Sequence, residues 1–189
     1  LSGQETVCLT GVDEQGHQVE QSAKERGLSP QEHCDEYQKR FLDIWKELDI
    51  ENDFFIRTTD DFHKKVVQDT LQELYDKDEI YEGEYEGWYS VSEEMFYAED
   101  EIVDGKSPMG KEVVKITEKN YFFRMAKYQD QLIKYIEDNP DFIQPKGKRS
   151  EVLGFLKKPL GDLCISRPKA RISWGIELPF DKDFVTYVW

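Results

Sequence analysis

The sequence predicts an α/β fold interrupted by an inserted α+β body, and three observations carry this reading. The chain opens on a β-prone run that turns directly into helices, as in an open α/β sheet. It closes on short β-prone runs over 163–189 that read as further strands of the same fold. Between them, amphipathic helices mix with aromatic-rich β segments, so both junctions of the middle body fall on one parent fold. Residues 1–58 are read as the first part of that fold, 59–160 as the insertion and 161–189 as the return.

Glu5–Thr10 is a short β-prone run ending at Gly11, read as a buried strand entering a turn. After the polar loop Val12–Gly16, a helix runs to about Arg26, with Gly27 as its cap. Ser29-Pro30 starts the next helix, with Ser as N-cap, Pro at the first position and Glu32 at the third. It extends to about Leu48 with an apolar stripe of Tyr37, Phe41, Ile44, Trp45 and Leu48. Phe54–Thr58 is the second strand. Thr59 or Asp60 then caps a helix carrying Phe62, Val66, Val67, Leu71 and Leu74.

From Ile80 to Tyr97 the aromatics, broken by Gly83 and Gly87, predict a small antiparallel β element. Asp100–Lys111 is a polar loop. Val113–Thr117 and Asn120–Arg124 are β-prone. A long helix with Tyr128, Leu132, Tyr135 and Ile136 on one face follows, closed by Pro140 and Pro145. A shorter helix covers about Arg149–Leu156, and the chain ends on the run Phe184–Trp189.

The 189 residues are 38% hydrophobic and 13% aromatic, too apolar for a disordered chain. No stretch reaches the roughly 20 apolar residues of a membrane span, so no membrane partner is expected. Cys8, Cys34 and Cys164 are odd in number and far apart, without metal-knuckle or disulfide spacing. A reducing compartment fits them, the cytoplasm or an organelle such as the mitochondrion. The net charge of −15 is uneven. Residues 1–110 carry 10 Lys/Arg against 29 Asp/Glu, whereas 111–171 carry 14 against 8. Any RNA contact should therefore favour the second half, although solvated helix faces also account for such a stretch.

Several residues have two readings from the residues alone. Asp13 follows a strand where α/β folds place ligand-binding groups, and an acid there also favours a helix dipole. Arg167, in Ile165-Ser166-Arg167-Pro168, suits a carboxylate or phosphate, or a surface ion pair. Val188 and Trp189 read as ordinary core. Trp174, in Trp174-Gly175-Ile176, reads as structural.

Leu9-Thr10-Gly11-Val12-Asp13-Glu14-Gln15-Gly16 resembles the Leu-Thr-Gly-Thr-Asp-Glu-His-Gly segment of methionyl-tRNA synthetases. Further matches follow in that family's order. They are Phe55-Ile56-Arg57-Thr58-Thr59 with His63, then Ile80-Tyr81-Glu82-Gly83 with Tyr85, Gly87-Trp88-Tyr89 and Glu94. Asn120-Tyr121-Phe122-Phe123-Arg124 and Ser150-Glu151-Val152 come next. Asp162-Leu163-Cys164-Ile165-Ser166-Arg167, Trp174-Gly175-Ile176 and Tyr187-Val188-Trp189 complete the set. The resemblance spans the chain.

It implies a Rossmann-like class I synthetase catalytic domain with an inserted connective domain. Such an enzyme joins methionine to ATP, with Mg2+, and passes the methionyl group to tRNA(Met). The resemblance gives Asp13 the α-ammonium of methionine. It places Trp189 beside the thioether, where an indole face suits a polarizable sulfur, with Val188 lining the same pocket and Arg167 facing a carboxylate or the adenylate phosphate. The family's His-Ile-Gly-His and Lys-Met-Ser-Lys-Ser motifs are absent. A central fragment is therefore expected, inactive alone and dependent on the remaining segments of the synthetase, with no catalytic residue of its own.

Two departures stand out. Gln15 replaces the family His, with His17 two positions on. Ser90 follows Trp88-Tyr89 where many relatives begin a zinc knuckle, and no cysteine lies between Cys34 and Cys164, so no zinc is expected. His33 and His63 are read as surface or packing residues. The short insertion disfavours leucyl, isoleucyl and valyl enzymes, and no hydrolase nucleophile motif occurs. The alternative function is a non-catalytic tRNA- or protein-binding module derived from a synthetase.

Overall fold

The computed structural model describes residues 5–90, 95–97 and 101–186. Two compact units emerge, one formed by 1–76 with 166–189 and the other by 77–165.

The first unit begins with β1 (Leu9–Val12), α1 (His17–Glu25), α2 (Pro30–Glu47) and β2 (Phe54–Arg57). β1 and β2 pair in parallel, Leu9 opposite Phe54 through Val12 opposite Arg57. Parallel strands need such a helical connection. The Ser29 hydroxyl accepts from the Glu32 N–H, and the Glu32 carboxylate accepts from the Ser29 N–H at 2.8 Å, a closed capping box. Gly27 takes φ +69° where the chain leaves α1, a conformation that suits glycine.

Two expectations are corrected here. β1 starts at Leu9 rather than Glu5, because the Cys8 N–H goes to the Asp53 carboxylate at 2.7 Å and ladder pairing begins only one residue later. It is also not buried. Leu9 is 60% and Phe54 59% exposed, since this two-stranded sheet has one face that no described residue covers. For the same reason most of the α2 stripe lies open: Tyr37, Phe41, Ile44 and Leu48 are exposed, and only Trp45 tucks in, 5.2 Å from the Phe55 ring. The buried residues of α2 are His33 and Cys34.

Gly11 leaves no room for a side chain beside β2. A Cβ built on it would lie 2.1 Å from the Ile56 carbonyl oxygen. Gly11→Ala must therefore push β1 from β2. Overpacking of this kind costs about 1–3 kcal/mol, which urea unfolding should show as a lower midpoint with an unchanged slope.

After β2 comes α3 (Asp61–Asp76), which packs on β8 (Ile176–Glu177). This packing is why α3 belongs to the first unit. β7 (Arg167–Pro168), β9 (Phe184–Thr186) and β8 form an antiparallel sheet in the order β7-β9-β8. Leu71, Leu178 and Val185 are fully buried here, with Val67, Ile172 and Ile176 beside them in the core.

The second unit is a four-stranded antiparallel sheet in the order β4-β3-β5-β6. β3 (Ile80–Ser90) and β5 (Val114–Phe123) pair from Ile80 opposite Phe123 to Tyr89 opposite Val114. β4 (Met95–Tyr97) and β6 (Leu163–Cys164) flank them. The sequence suggested breaks at Gly83 and Gly87, and between Thr117 and Asn120, but both strands run through. At Gly83 a Cβ would come within 3.1 Å of the Phe122 ring, so the glycine makes room for that ring, which stacks on Tyr81 at 5.8 Å. The polar step in β5 is matched across the ladder, where Lys119 pairs with Glu82 at 2.6 Å. A 3-10 turn at Met125–Tyr128 leads into α4 (Gln129–Asp138), and α5 (Lys146–Phe155) follows. Arg149 Nη2 donates to the Ile136 carbonyl at 3.1 Å and ties α5 to the end of α4.

Candidate functional site

Parallel pairing brings the ends of β1 and β2 side by side, so the loop after each strand meets the other. Asp13–Gly16 follows β1, and Thr58–Asp60 follows β2. Open α/β sheets bind ligands at this end of their strands.

Glu14 turns inward and is only 4% exposed. Arg57 Nε donates to both of its carboxylate oxygens, at 2.9 and 3.0 Å, and the Thr59 hydroxyl donates to Oε2. The Glu14 N–H donates to Thr58 Oγ1 at 2.9 Å. Its carbonyl accepts from the Trp174 indole N–H and, at 3.7 Å, from the Cys34 thiol. Gln15 Nε2 donates to the Thr58 carbonyl at 3.1 Å, and the Gly16 N–H donates to the Trp174 carbonyl at 3.3 Å. The loop is thus strapped to α2, to the end of β2 and to the segment that leads into β8.

Charge follows this geometry. Arg57 also pairs with Asp35 at 2.6 Å. Burial disfavours its charge, but its bonds to Glu14 and Asp35 outweigh burial and raise it above the ordinary guanidinium range. Asp35 is held below the usual carboxylate range by the Gln31 amide first and Arg57 second. Burial, reinforced by the Glu14 charge, pushes the Cys34 thiol up to about 12. Cys34 is therefore a protonated donor and a poor nucleophile at neutral pH. Iodoacetamide at pH 8 should label exposed Cys8 and leave Cys34 unlabelled until the protein unfolds, read by peptide mass mapping.

Asp13, next to Glu14, faces the other way. It is exposed, and Oδ1 accepts from the Gln15 N–H at 3.4 Å. It borders a shallow, open cleft of about 340 Å³ lined by β1, by Asp13 itself, and by Ile56 and Thr58. Arg167 lies elsewhere in the same unit, half-buried in β7, with Nη1 donating to the Ser166 carbonyl at 2.7 Å, and it does not line this cleft. Val188 and Trp189 lie outside the described residues, as do Glu94 and Tyr187.

The family model described as tRNA synthetases class I (M) matches residues 1–115 and 106–189, which together cover the chain. The chain belongs to this family. As a class I synthetase chain it is 46% identical over its whole length to the methionine–tRNA ligase of Caldanaerobacter subterraneus and 49% identical to that of Deinococcus radiodurans. It spans about 30% of the length of these curated relatives. The methionyl-tRNA synthetase of Mycobacterium tuberculosis bound by methionyl-adenylate superposes at a TM-score of 0.82, with 37% identity over 98% of this chain and 37% of that one. The free form of that enzyme superposes at 0.66, over 83% of this chain and 32% of that one. The resemblance drawn from the motifs therefore stands, and with it the α/β class I synthetase fold.

The network around Glu14 went unread in the sequence, although a signal was present. Arg57 ends the apolar strand Phe54-Phe55-Ile56, and a cation there needs an acid once buried. The Trp174 indole N–H donates to the Glu14 carbonyl. His33 is a packing residue, 4.7 Å from the Tyr37 ring and accepting from Arg26 at 3.2 Å. Among the described residues, no group of three or more His, Cys, Asp or Glu could hold a metal ion, and no helix is long and apolar enough to cross a membrane.

Proposed function

We propose that this chain supplies the methionine-binding part of a methionine–tRNA ligase that acts on methionine, ATP and tRNA(Met). One observation carries the reading. In a chain similar over its whole length to such ligases, Asp13 presents an exposed carboxylate at the rim of a cleft, at the C-terminal end of a parallel strand. A carboxylate there can make a charge-assisted hydrogen bond to an α-ammonium. Arg167 would meet the carboxylate or adenylate phosphate, and Val188 and Trp189 would enclose the thioether. The unit 77–165 would be the inserted connective domain.

The ATP-handling motifs would come from the remaining segments of the synthetase. Mg2+ would accompany ATP there. The bacterial relatives support a cytoplasmic setting.

Methionine-dependent ATP–pyrophosphate exchange tests this function. The chain alone should give none, and adding the remaining segments should restore it. In the complete enzyme Asp13→Asn should raise KM for methionine roughly 10- to 100-fold, the range for loss of a hydrogen bond to a charged group. An unchanged KM would remove Asp13 from the site. Absence of exchange despite demonstrated association of the segments would point instead to a non-catalytic module.

A further inference from the structure

Asp13 and Glu14 share one peptide group and face opposite ways. Asp13 is exposed at the cleft, and Glu14 is buried in the network. Every polar group of Glu14 has a partner in the structure. Arg57 and Thr59 hold its carboxylate, Thr58 Oγ1 takes its N–H, and Trp174 and Cys34 donate to its carbonyl. The Asp13 carboxylate, in contrast, has one long bond, to the N–H of Gln15. Nothing on the Asp13 side chain is strong enough to set its own direction. Its orientation must come from the backbone, and the Glu14 network fixes that backbone.

We propose that Arg57 is a positioning residue for the amino-acid site. Acting through Glu14, it holds the peptide from which Asp13 projects. The inference rests on the assignment of Asp13 to methionine. Arg57 reaches Glu14 from the end of β2, so it couples the two strand ends that border the cleft. Its guanidinium contributes through geometry more than through charge. Nε donates to both Glu14 oxygens while Nη2 lies in an ion pair with Asp35 at 2.6 Å, two contacts made by separate nitrogens of one planar group, which a single lysine ammonium cannot reproduce. A displacement of about 1 Å at a reacting or binding group is enough to cost large factors in rate, so a loosened pin should register in methionine use before it registers in ATP use.

The test is a double-mutant cycle in the complete enzyme, read by the KM for methionine, the KM for ATP and kcat in ATP–pyrophosphate exchange. Glu14→Gln keeps the shape of the side chain and removes its charge, and Arg57→Lys keeps the charge and removes the planar group. Each should raise KM for methionine about tenfold, a coupling ordinary for residues in one network, and leave KM for ATP within about twofold. Thermal melts confirm that each variant is folded at the assay temperature, and Thr59→Val provides a milder third variant.

The deciding comparison is with Asp13→Asn. If Glu14 acts through Asp13, adding Glu14→Gln or Arg57→Lys to Asp13→Asn raises KM for methionine no further. The same increase in both backgrounds would overturn positioning and leave a general structural effect. Glu14→Gln and Arg57→Lys without effect, while Asp13→Asn raises KM, would also overturn it and leave the Asp13 assignment intact. Asp13→Asn without effect overturns that assignment, and the positioning role falls with it.

Discussion

Arg57→Ala should lower the unfolding free energy by about 3–5 kcal/mol, the cost of stripping one partner from a buried ion pair. The Glu14 side chain is 5% exposed and that of Arg57 14%. With the guanidinium gone, Glu14 keeps the Thr59 hydroxyl, which cannot offset a desolvated charge. Glu14→Gln should cost less, because Arg57 retains Asp35, whose side chain is 52% exposed and well solvated. Replacing both residues, Glu14→Leu with Arg57→Met, should recover much of the loss, since a well-packed apolar pair can match a buried ionic one. Urea titrations of the four proteins would establish the order. An Arg57→Ala protein less than about 1 kcal/mol destabilised would show that the pair is hydrated in solution.

The pH dependence follows from Asp35. The Gln31 amide and then Arg57 depress its folded pKa, so its contribution is complete above the unfolded carboxylate value, about 3.9. It is lost as pH falls through the lower folded value. The contribution is small because the group is exposed. In Arg57→Ala the acid limb of the stability curve should be smaller, still beginning near the unfolded value but ending at a higher pH, because part of that depression disappears.

How far sequence could reach differs between fold and site. The capping box at Ser29-Pro30 is legible because its determinants are four consecutive residues. The β1-α1-α2-β2 order is legible because hydrophobic period and turn residues are local too. The exposure of β1 and of the α2 stripe was not legible. Period shows which residues share a face, and only tertiary neighbours decide whether that face is covered. The continuity of β3 through Gly83 depends on Phe122, 39 positions away along the chain. The site divides in the same way. Asp13 is readable from its place after a strand and from a family motif. The Glu14–Arg57 bond joins residues 43 positions apart, and its burial is invisible in a segment as polar as Asp13-Glu14-Gln15.

Leu71→Ala should cost about 2–5 kcal/mol, from lost transfer energy and the cavity left behind. Leu71 is fully buried on α3, the helix that packs on β8. Val67 lies one turn earlier and is also buried, and Ile176 and Leu178 are buried in and beside β8. Two contacts at the edges resist collapse of the gap. Gln68 Nε2 donates to the Glu177 carbonyl at 3.0 Å, and Tyr75 stacks on Phe180 at 4.0 Å. A helix pinned on both sides of a cavity cannot settle into it, so the loss should fall in the upper half of that range. Leu71→Met, which conserves volume, should cost less than about 1.5 kcal/mol. At roughly 2–4 °C per kcal/mol for a chain of this size, calorimetry separates the two substitutions easily. The consequence extends to the site, because Trp174 and Gly175 immediately precede β8 and Trp174 donates to the Glu14 carbonyl. Loosening β8 should therefore weaken protection of the Gly16 amide, which donates to the Trp174 carbonyl. Hydrogen exchange at Gly16 should quicken in Leu71→Ala and remain near wild type in Leu71→Met. Unchanged exchange at Gly16 in a destabilised Leu71→Ala protein would mean that α2 and β2 alone hold the loop.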